Sequence, residues 1–249
     1  MCDVAGAACA DDTDRGISRR RLLLGLAGTA AVASGLAHQG TAHASTTNPP
    51  IRRRAEWAGT LRPTGPLPVE SAGNTRFLEV HHSVDPGNAY AQADVPRILR
   101  EFYAFHTGKG WPDIAYNFLV DRFGTIWEGR AGSYDKPVIP SASGGHQGFS
   151  QKVCLIGDFR TQAPSPLVHD RVVSALARLA KKYGIKTEPG STATFVSRGS
   201  SRLPRGTRCT LPTIVGHRKV AYTVCPGNAA NHYVAYVYPT RVARTVAAG

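Results

Sequence analysis

Two histidine-bearing segments far apart in the chain, together with one cysteine, place the strongest demand on how these 249 residues fold. Near the carboxyl end, Gly216-His217-Arg218-Lys219 is followed by Thr223-Val224-Cys225-Pro226. This sets an imidazole and a thiol eight positions apart at a predicted strand-to-loop junction. Far upstream, Val80-His81-His82-Ser83 closes an apolar run. Two imidazoles and one thiolate suit a zinc ion whose fourth position is left open to water. Side chains alternate faces along a strand, so His81 and His82 cannot both point at one ion. A His-His pair alone says little, and so does His217; joined to Cys225 and its Pro-Gly turn, they indicate a metal centre. Any fold must then bring opposite ends of the domain within bonding reach of one cation.

The amino-terminal segment reads as an address rather than as part of that fold. Ser18-Arg19-Arg20-Arg21-Leu22-Leu23-Leu24 is a twin-arginine pattern, and Ala42-His43-Ala44 has the small-residue spacing of a signal-peptidase site. The apolar stretch between them is broken by Gly and Ser and is short for a membrane span. A retained anchor is the alternative; bacterial export with cleavage after Ala44 is the reading adopted. The layout is then a signal peptide at 1–44, a polar linker at 45–50 and one domain at 51–249, long enough for a substantial core. The leader's four Arg and four Asp cancel, so the whole net charge of +13 stays on the domain. Such a balance suits an anionic partner. No nucleic-acid motif accompanies it, and an exported protein seldom meets nucleic acid, which leaves anionic cell-envelope polymers. No heptads or long apolar patch ask for a second copy, so a monomer without stable membrane insertion is expected. Cys2 and Cys9 leave with the leader. If Cys225 holds metal, Cys154 and Cys209 either form a bridge or stay thiols, and sequence does not choose between these.

Strands and helices alternate along the domain. Residues 76–83 predict a strand closed by Asp85-Pro86-Gly87. Val95, Ile98, Leu99, Phe102 and Phe105 recur at helical spacing over 94–107, with Pro96 in the first turn. Residues 116–120 and 125–128 flank Asp121-Arg122-Phe123-Gly124 and read as a hairpin; 152–156 is a short apolar strand. The clearest helix spans 166–183, with Leu167, Val172, Leu176 and Leu179 as its buried stripe and Gly184 at its end. A strand at 213–217 and a weaker helix at 230–238 follow. Residues 188–210, rich in Gly, Ser and Arg, read as a long surface loop. Arg198, Arg202, Arg205 and Arg208 there are either a grip for an acidic polymer or, as adopted, a solvated loop. The fold class is α/β, a mixed central sheet flanked by helices.

Longer motifs make the chain familiar. Val80-His81-His82-Ser83, the run Tyr116-Asn117-Phe118-Leu119-Val120-Asp121-Arg122-Phe123-Gly124-Thr125-Ile126-Trp127-Glu128-Gly129-Arg130, and Pro212-Thr213-Ile214-Val215-Gly216-His217-Arg218 through Thr223-Val224-Cys225-Pro226-Gly227 resemble the peptidoglycan recognition protein family. The same fold includes the phage-lysozyme-like type 2 N-acetylmuramoyl-L-alanine amidases. The resemblance runs from Arg54-Ala55-Glu56-Trp57 to Arg241. It implies hydrolysis of the lactyl–L-alanine amide of peptidoglycan by one zinc ion, through a metal-bound hydroxide. It puts the metal ligands on His81, His217 and Cys225, with His82 in the neighbouring, non-ligand slot. Members that bind wall without cutting it typically lack the cysteine, so its presence favours an enzyme over a recognition module.

The resemblance extends to the supporting residues. Tyr116 matches a catalytic tyrosine whose phenol donates to the oxyanion or orders water; the alternative is a core strand tyrosine. Thr223 matches a position whose hydroxyl supports the tetrahedral intermediate, or else caps the turn before Cys225. His146 resembles a substrate-cleft histidine, or is a plain loop residue; His106 reads as structural. Three features depart from the family pattern. The segment after His146 is about three residues shorter, Lys219 stands where an acid is common, and Glu79 shares a strand face with His81. Glu79 is open to use as a partner for the imidazole or as an acid–base helper. The reading adopted is a carboxylate at the sheet margin paired with a surface arginine.

Overall fold

The computed structural model describes residues 49–142 and 144–249. The expected leader at 1–44 with its cleavage point, the linker up to residue 48, and Cys2 and Cys9 lie outside the described residues. Thirteen strands and helices follow in the described part. They are β1 (Ile51–Arg52), α1 (Ala55–Ala58), β2 (Phe77–His82), α2 (Val95–Gly108), β3 (Phe118–Val120), β4 (Ile126–Glu128), β5 (Ser150–Leu155), α3 (Pro166–Tyr183), β6 (Thr192–Val196), β7 (Arg208–Pro212), β8 (Ile214–Gly216), α4 (Asn228–Tyr236) and α5 (Tyr238–Ala247). Six strands form a mixed sheet in the order β1-β4-β3-β5-β2-β8. The β3–β4 hairpin is antiparallel, and β2 runs parallel to both β5 and β8.

Helices cover both faces of this sheet, so its middle strands are buried on two sides and lose the polar–apolar alternation of a half-exposed strand. All six residues of β2, and all six of β5, are buried. On one face Leu78 and Val80 pack with Val172, Leu176, Val234 and Val242 from α3, α4 and α5. On the other, Leu119, Trp127 and Cys154 meet Ile98, Leu99 and Phe102 of α2 and Trp57 of α1. Cys154 and Cys209 belong to different sheets and are both thiols, so the bridge left open by the sequence is not made.

The long helix α3 keeps the predicted bounds because its ends are signalled chemically. Ser165 Oγ accepts from the Val168 amide at 3.3 Å, Pro166 occupies the first turn, and Gly184 closes the helix at φ +62°. Its stripe needs one correction: Leu167 is 44% exposed, while Val168 is buried. Four residues back from Val172 lies Val168, and Leu167 falls off the stripe by one position.

Two further expectations change. Residues 188–210 are not a plain loop but hold most of an antiparallel hairpin, β6–β7, with Thr194 and Thr210 hydroxyls bonded across it at 2.8 Å. Its strands are largely solvent-facing, so they carry little hydrophobic signal, and only Phe195 is driven inward, against Phe77. At the carboxyl end the single helix at 230–238 becomes two, α4 and α5. The chain breaks at Val237, and Pro239, which has no N–H to give, sits in the first turn of α5. No helix among the described residues is long and apolar enough to cross a membrane.

Truncating Leu176 to Ala should cost about 2–5 kcal/mol of unfolding free energy. Leu167→Ala should cost less than about 1 kcal/mol. Urea denaturation of both variants measures the contrast, and equal losses would contradict the stripe described here.

Candidate metal centre

Register builds the site. In the parallel β2–β8 pair, Val80 lies opposite Gly216, so the next residues, His81 and His217, emerge side by side at the carboxyl ends of both strands. Their ring centroids are 4.4 Å apart. Gly216 is required by close approach: a Cβ there would come within 2.7 Å of Asn231 Oδ1 and 2.8 Å of Pro226 Cδ. The missing side chain lets the segment carrying Cys225 fold back against the strand.

That segment is tied at several points. The Arg218 amide donates to Cys225 O at 3.0 Å, and the Gly227 amide donates to Val224 O at 2.7 Å. Gly227 holds φ +88°, and its bare Cα faces Phe159, where a Cβ would meet the backbone at 2.2 Å. The thiol so placed accepts from the His82 amide at 3.4 Å and lies 3.6 Å from His81 Nδ1.

One donor atom each from His81, His217 and Cys225 falls within 4.8 Å of the others. With bonds of about 2.0–2.3 Å, a tetrahedral nitrogen–sulfur edge spans about 3.6 Å, which matches the His81–Cys225 separation. His217 Nδ1 is buried at this cluster with no hydrogen-bond partner. Burial first, then the neighbouring His81, pushes the His217 imidazole well below its ordinary pKa, so it is neutral, the form in which imidazole is a ligand. The three residues therefore fit a metal ion in chemistry and spacing.

His82 does something else. It turns to the opposite face, and its Nδ1 accepts from the Phe159 amide at 3.1 Å. Tyr116 is buried beside the cluster, its ring 5.2 Å from His81. With His81, His217, Phe102, His106 and Trp111 it lines a cavity of about 30 Å³. Thr223 Oγ1 accepts from the Cys225 amide at 3.2 Å, so its hydroxyl caps the turn.

The expectation for His146 is corrected. It is 0% exposed and is not among the residues that line the cavity beside the cluster. The β6–β7 hairpin covers it: Phe195 packs on its ring at 5.8 Å, and the Gly145 amide donates to Gly199 O at 2.8 Å. Arg198, one of the loop arginines, is spent on the same closure, pairing with Glu70 at 2.9 Å and donating to Gln147 O at 2.9 Å. Lys219 is exposed on the single turn after β8 and takes no part.

Glu79 also departs from the adopted reading: it is not at the sheet margin and pairs with no surface arginine. It is 0% exposed, with Oε1 3.0 Å from His81 Nε2 and Oε2 3.8 Å from His146 Nδ1. Lys152, its register partner on β5, places Nζ 3.7 Å away and also donates to Ser141 O. Burial raises the Glu79 pKa, but Lys152, His81 and His146 together hold it well below the usual carboxylate range. Burial lowers the lysine to about 8, against the opposing pull of Glu79. Lys152 was missed in the sequence because the strand was expected to begin there, at its margin; it begins at Ser150, which carries Lys152 into the buried interior. The available signal was one acid and one base, each alone in a buried strand.

A family model described as N-acetylmuramoyl-L-alanine amidase matches residues 71–228, more than half of the chain. Peptidoglycan-recognition protein LB of Drosophila melanogaster is 27% identical over 176 residues, which covers 70% of this chain and 62% of that protein. The N-acetylmuramoyl-L-alanine amidase of Sus scrofa is 25% identical over 183 residues, 73% of this chain and 26% of the relative. The chain thus spans less than two thirds of each of these relatives. Among solved structures, wild-type Drosophila PGRP-LB aligns with a TM-score of 0.58 at 25% identity, over 76% of this chain and 94% of that one. A mutant of the same protein, solved in complex with tracheal cytotoxin, aligns at 0.58, also at 25% identity, over 75% and 94% of the two chains.

Acid sensitivity should follow from the buried ring behind the cavity. His106 Nδ1 accepts from the Ala115 amide at 3.3 Å, and burial lowers its pKa from 6.5 to about 4. The unfolded ring takes a proton near 6.5 and the folded ring only near 4, so stability is complete above that window and falls through it on acidification. Urea midpoints measured between pH 7 and 4 should fall, and should fall less steeply in His106→Gln. Parallel acid limbs would contradict the assignment.

Proposed function

The chain belongs to the N-acetylmuramoyl-L-alanine amidase family, and on that premise we propose that it hydrolyses the amide joining the lactyl group of N-acetylmuramic acid to L-alanine in peptidoglycan. The observation that carries this reading is the convergence of His81, His217 and Cys225 on one point beside an aromatic-lined cavity. Zinc is the ion this thiolate-and-imidazole set suits, and when bound it supplies a Lewis acid that polarises a carbonyl and acidifies water.

The chain's own residues divide the remaining work. Cys225 is held for coordination by the His82 amide and by the turn that Thr223 caps. The role adopted for Thr223 is therefore positioning. Tyr116, with its ring against His81 and lining the same cavity, is the donor assigned to the oxyanion. Phe102 and Trp111 supply apolar wall, which strengthens electrostatic interactions by excluding water. His146, sealed under the hairpin, has no contact with substrate in this scheme. The proposed setting is the cell wall after export by the twin-arginine route, with residues 51–249 as the working domain. Peptidoglycan is the partner, in keeping with the tracheal cytotoxin held by the PGRP-LB mutant. The domain's net positive charge suits anionic wall polymers as well.

Zinc-loaded protein incubated with purified peptidoglycan should release fragments with new L-alanine amino termini, identified by mass spectrometry. Cys225→Ser should lose both bound zinc and turnover. Tyr116→Phe should keep zinc and lower kcat by about 10²–10³. Binding of wall without new termini would replace the amidase by a recognition module, and termini within the stem peptide would replace it by a peptidase.

A further inference from the structure

A buried carboxylate needs partners, and those of Glu79 are all nitrogens of buried side chains. Both of its oxygens are buried, and the closest approach to either is His81 Nε2 to Oε1 at 3.0 Å. Three nitrogens surround them: His81 Nε2 at 3.0 Å, Lys152 Nζ at 3.7 Å and His146 Nδ1 at 3.8 Å. The shortest contact is therefore to a ring whose other nitrogen, Nδ1, faces the Cys225 sulfur at 3.6 Å. A neutral imidazole carries one N–H, and which nitrogen bears it decides which can donate a lone pair to a metal. A proton on Nδ1 would close the ring to coordination at the face that meets Cys225 and His217.

Resting on the metal reading above, we propose that Glu79 is a positioning residue that fixes His81 as the Nε2–H tautomer, holding the Nδ1 lone pair towards Cys225 and His217. Carboxylate partners of this kind orient ligating histidines and raise their basicity. Lys152 makes the arrangement tolerable by supplying the opposite charge from the facing position on β5. The ring centroid of His146 lies 5.2 Å from that of Phe77, and the ring closes the pocket around the pair. Neither Glu79 nor Lys152 lines the cavity beside the cluster. Glu79 acts on the reaction only through His81.

The test uses the protein without metal as well as with it. Long-range ¹H–¹⁵N spectra of the metal-free, reduced protein should show His81 as the Nε2–H tautomer. Glu79→Gln leaves the buried Lys152 charge unpaired, at a cost to folding, so Glu79→Leu with Lys152→Met is made beside it, an exchange of a buried ion pair for apolar groups of similar size. In this double variant His81 should become a mixture of tautomers, and zinc affinity, read by chelator competition, should fall by about 10–100-fold. Lys152→Met alone, where it folds, should keep the His81 tautomer. An unchanged His81 tautomer in a folded double variant, or zinc affinity within twofold of the parent, would overturn the proposal. Failure of the parent itself to bind zinc would instead remove the metal reading, and the tautomer measurement would still report on Glu79.

Discussion

The parallel pairing of β2 with β8 is the contact on which the site depends. It joins segments more than 130 residues apart, Leu78 to Val80 against Ile214 to Gly216, and it sets Val80 level with Gly216, the last residue of β8. Ligand sites in open α/β sheets form at the carboxyl ends of parallel strands, where side chains project past the last ladder bond. Here that position yields two imidazoles from neighbouring strands. The thiol comes from a third segment, the turn after β8, and arrives only because Gly216 has no side chain to hold it off. One backbone ladder thus supplies two donors and the approach path of the third.

Much of this is legible in the amino-acid sequence. Helix α3 declared its ends through Ser165, Pro166 and Gly184, and the hairpin β3–β4 declared itself through its turn. The three donor residues were legible because residue types this specific rarely share one strand-end pattern by accident. What stayed hidden has a common cause. The β6–β7 strands face solvent, so burial writes no period into them. Without that hairpin, His146 looks like an open loop residue, when Phe195 and Arg198 in fact shut it in. The break at Val237 was readable in principle from Pro239, yet a run of apolar and aromatic residues crosses it without interruption.

Glu79 was misplaced for a different reason. A lone acid in an apolar strand is more often at an exposed end, and charge alone does not say which strand lies beside it. Only the β2–β5 register puts Lys152 opposite. Two charges that each contradict their own strand become intelligible as a pair, and the pair is a tertiary fact.

That pair bears on more than His81. β2 is buried on both faces and offers Phe77, Glu79 and His81 to one and Leu78, Val80 and His82 to the other, so apart from Glu79 little discriminates against a one-residue slip. A slip would exchange the duties of two adjacent histidines. His82, which holds the Phe159 amide on the α3 side, would take the ligand face, and His81 would enter the layer of Leu78 and Val80. It would also turn Glu79 into that same layer, among Val172 and Leu176, with Lys152 left on the opposite face. An unpaired buried carboxylate costs several kcal/mol, far more than misplacing one apolar side chain. The ion pair therefore biases the sheet towards the one register in which His81, and not its neighbour, meets Cys225. In this way a contact that adds little to net stability can decide which imidazole stands at the centre.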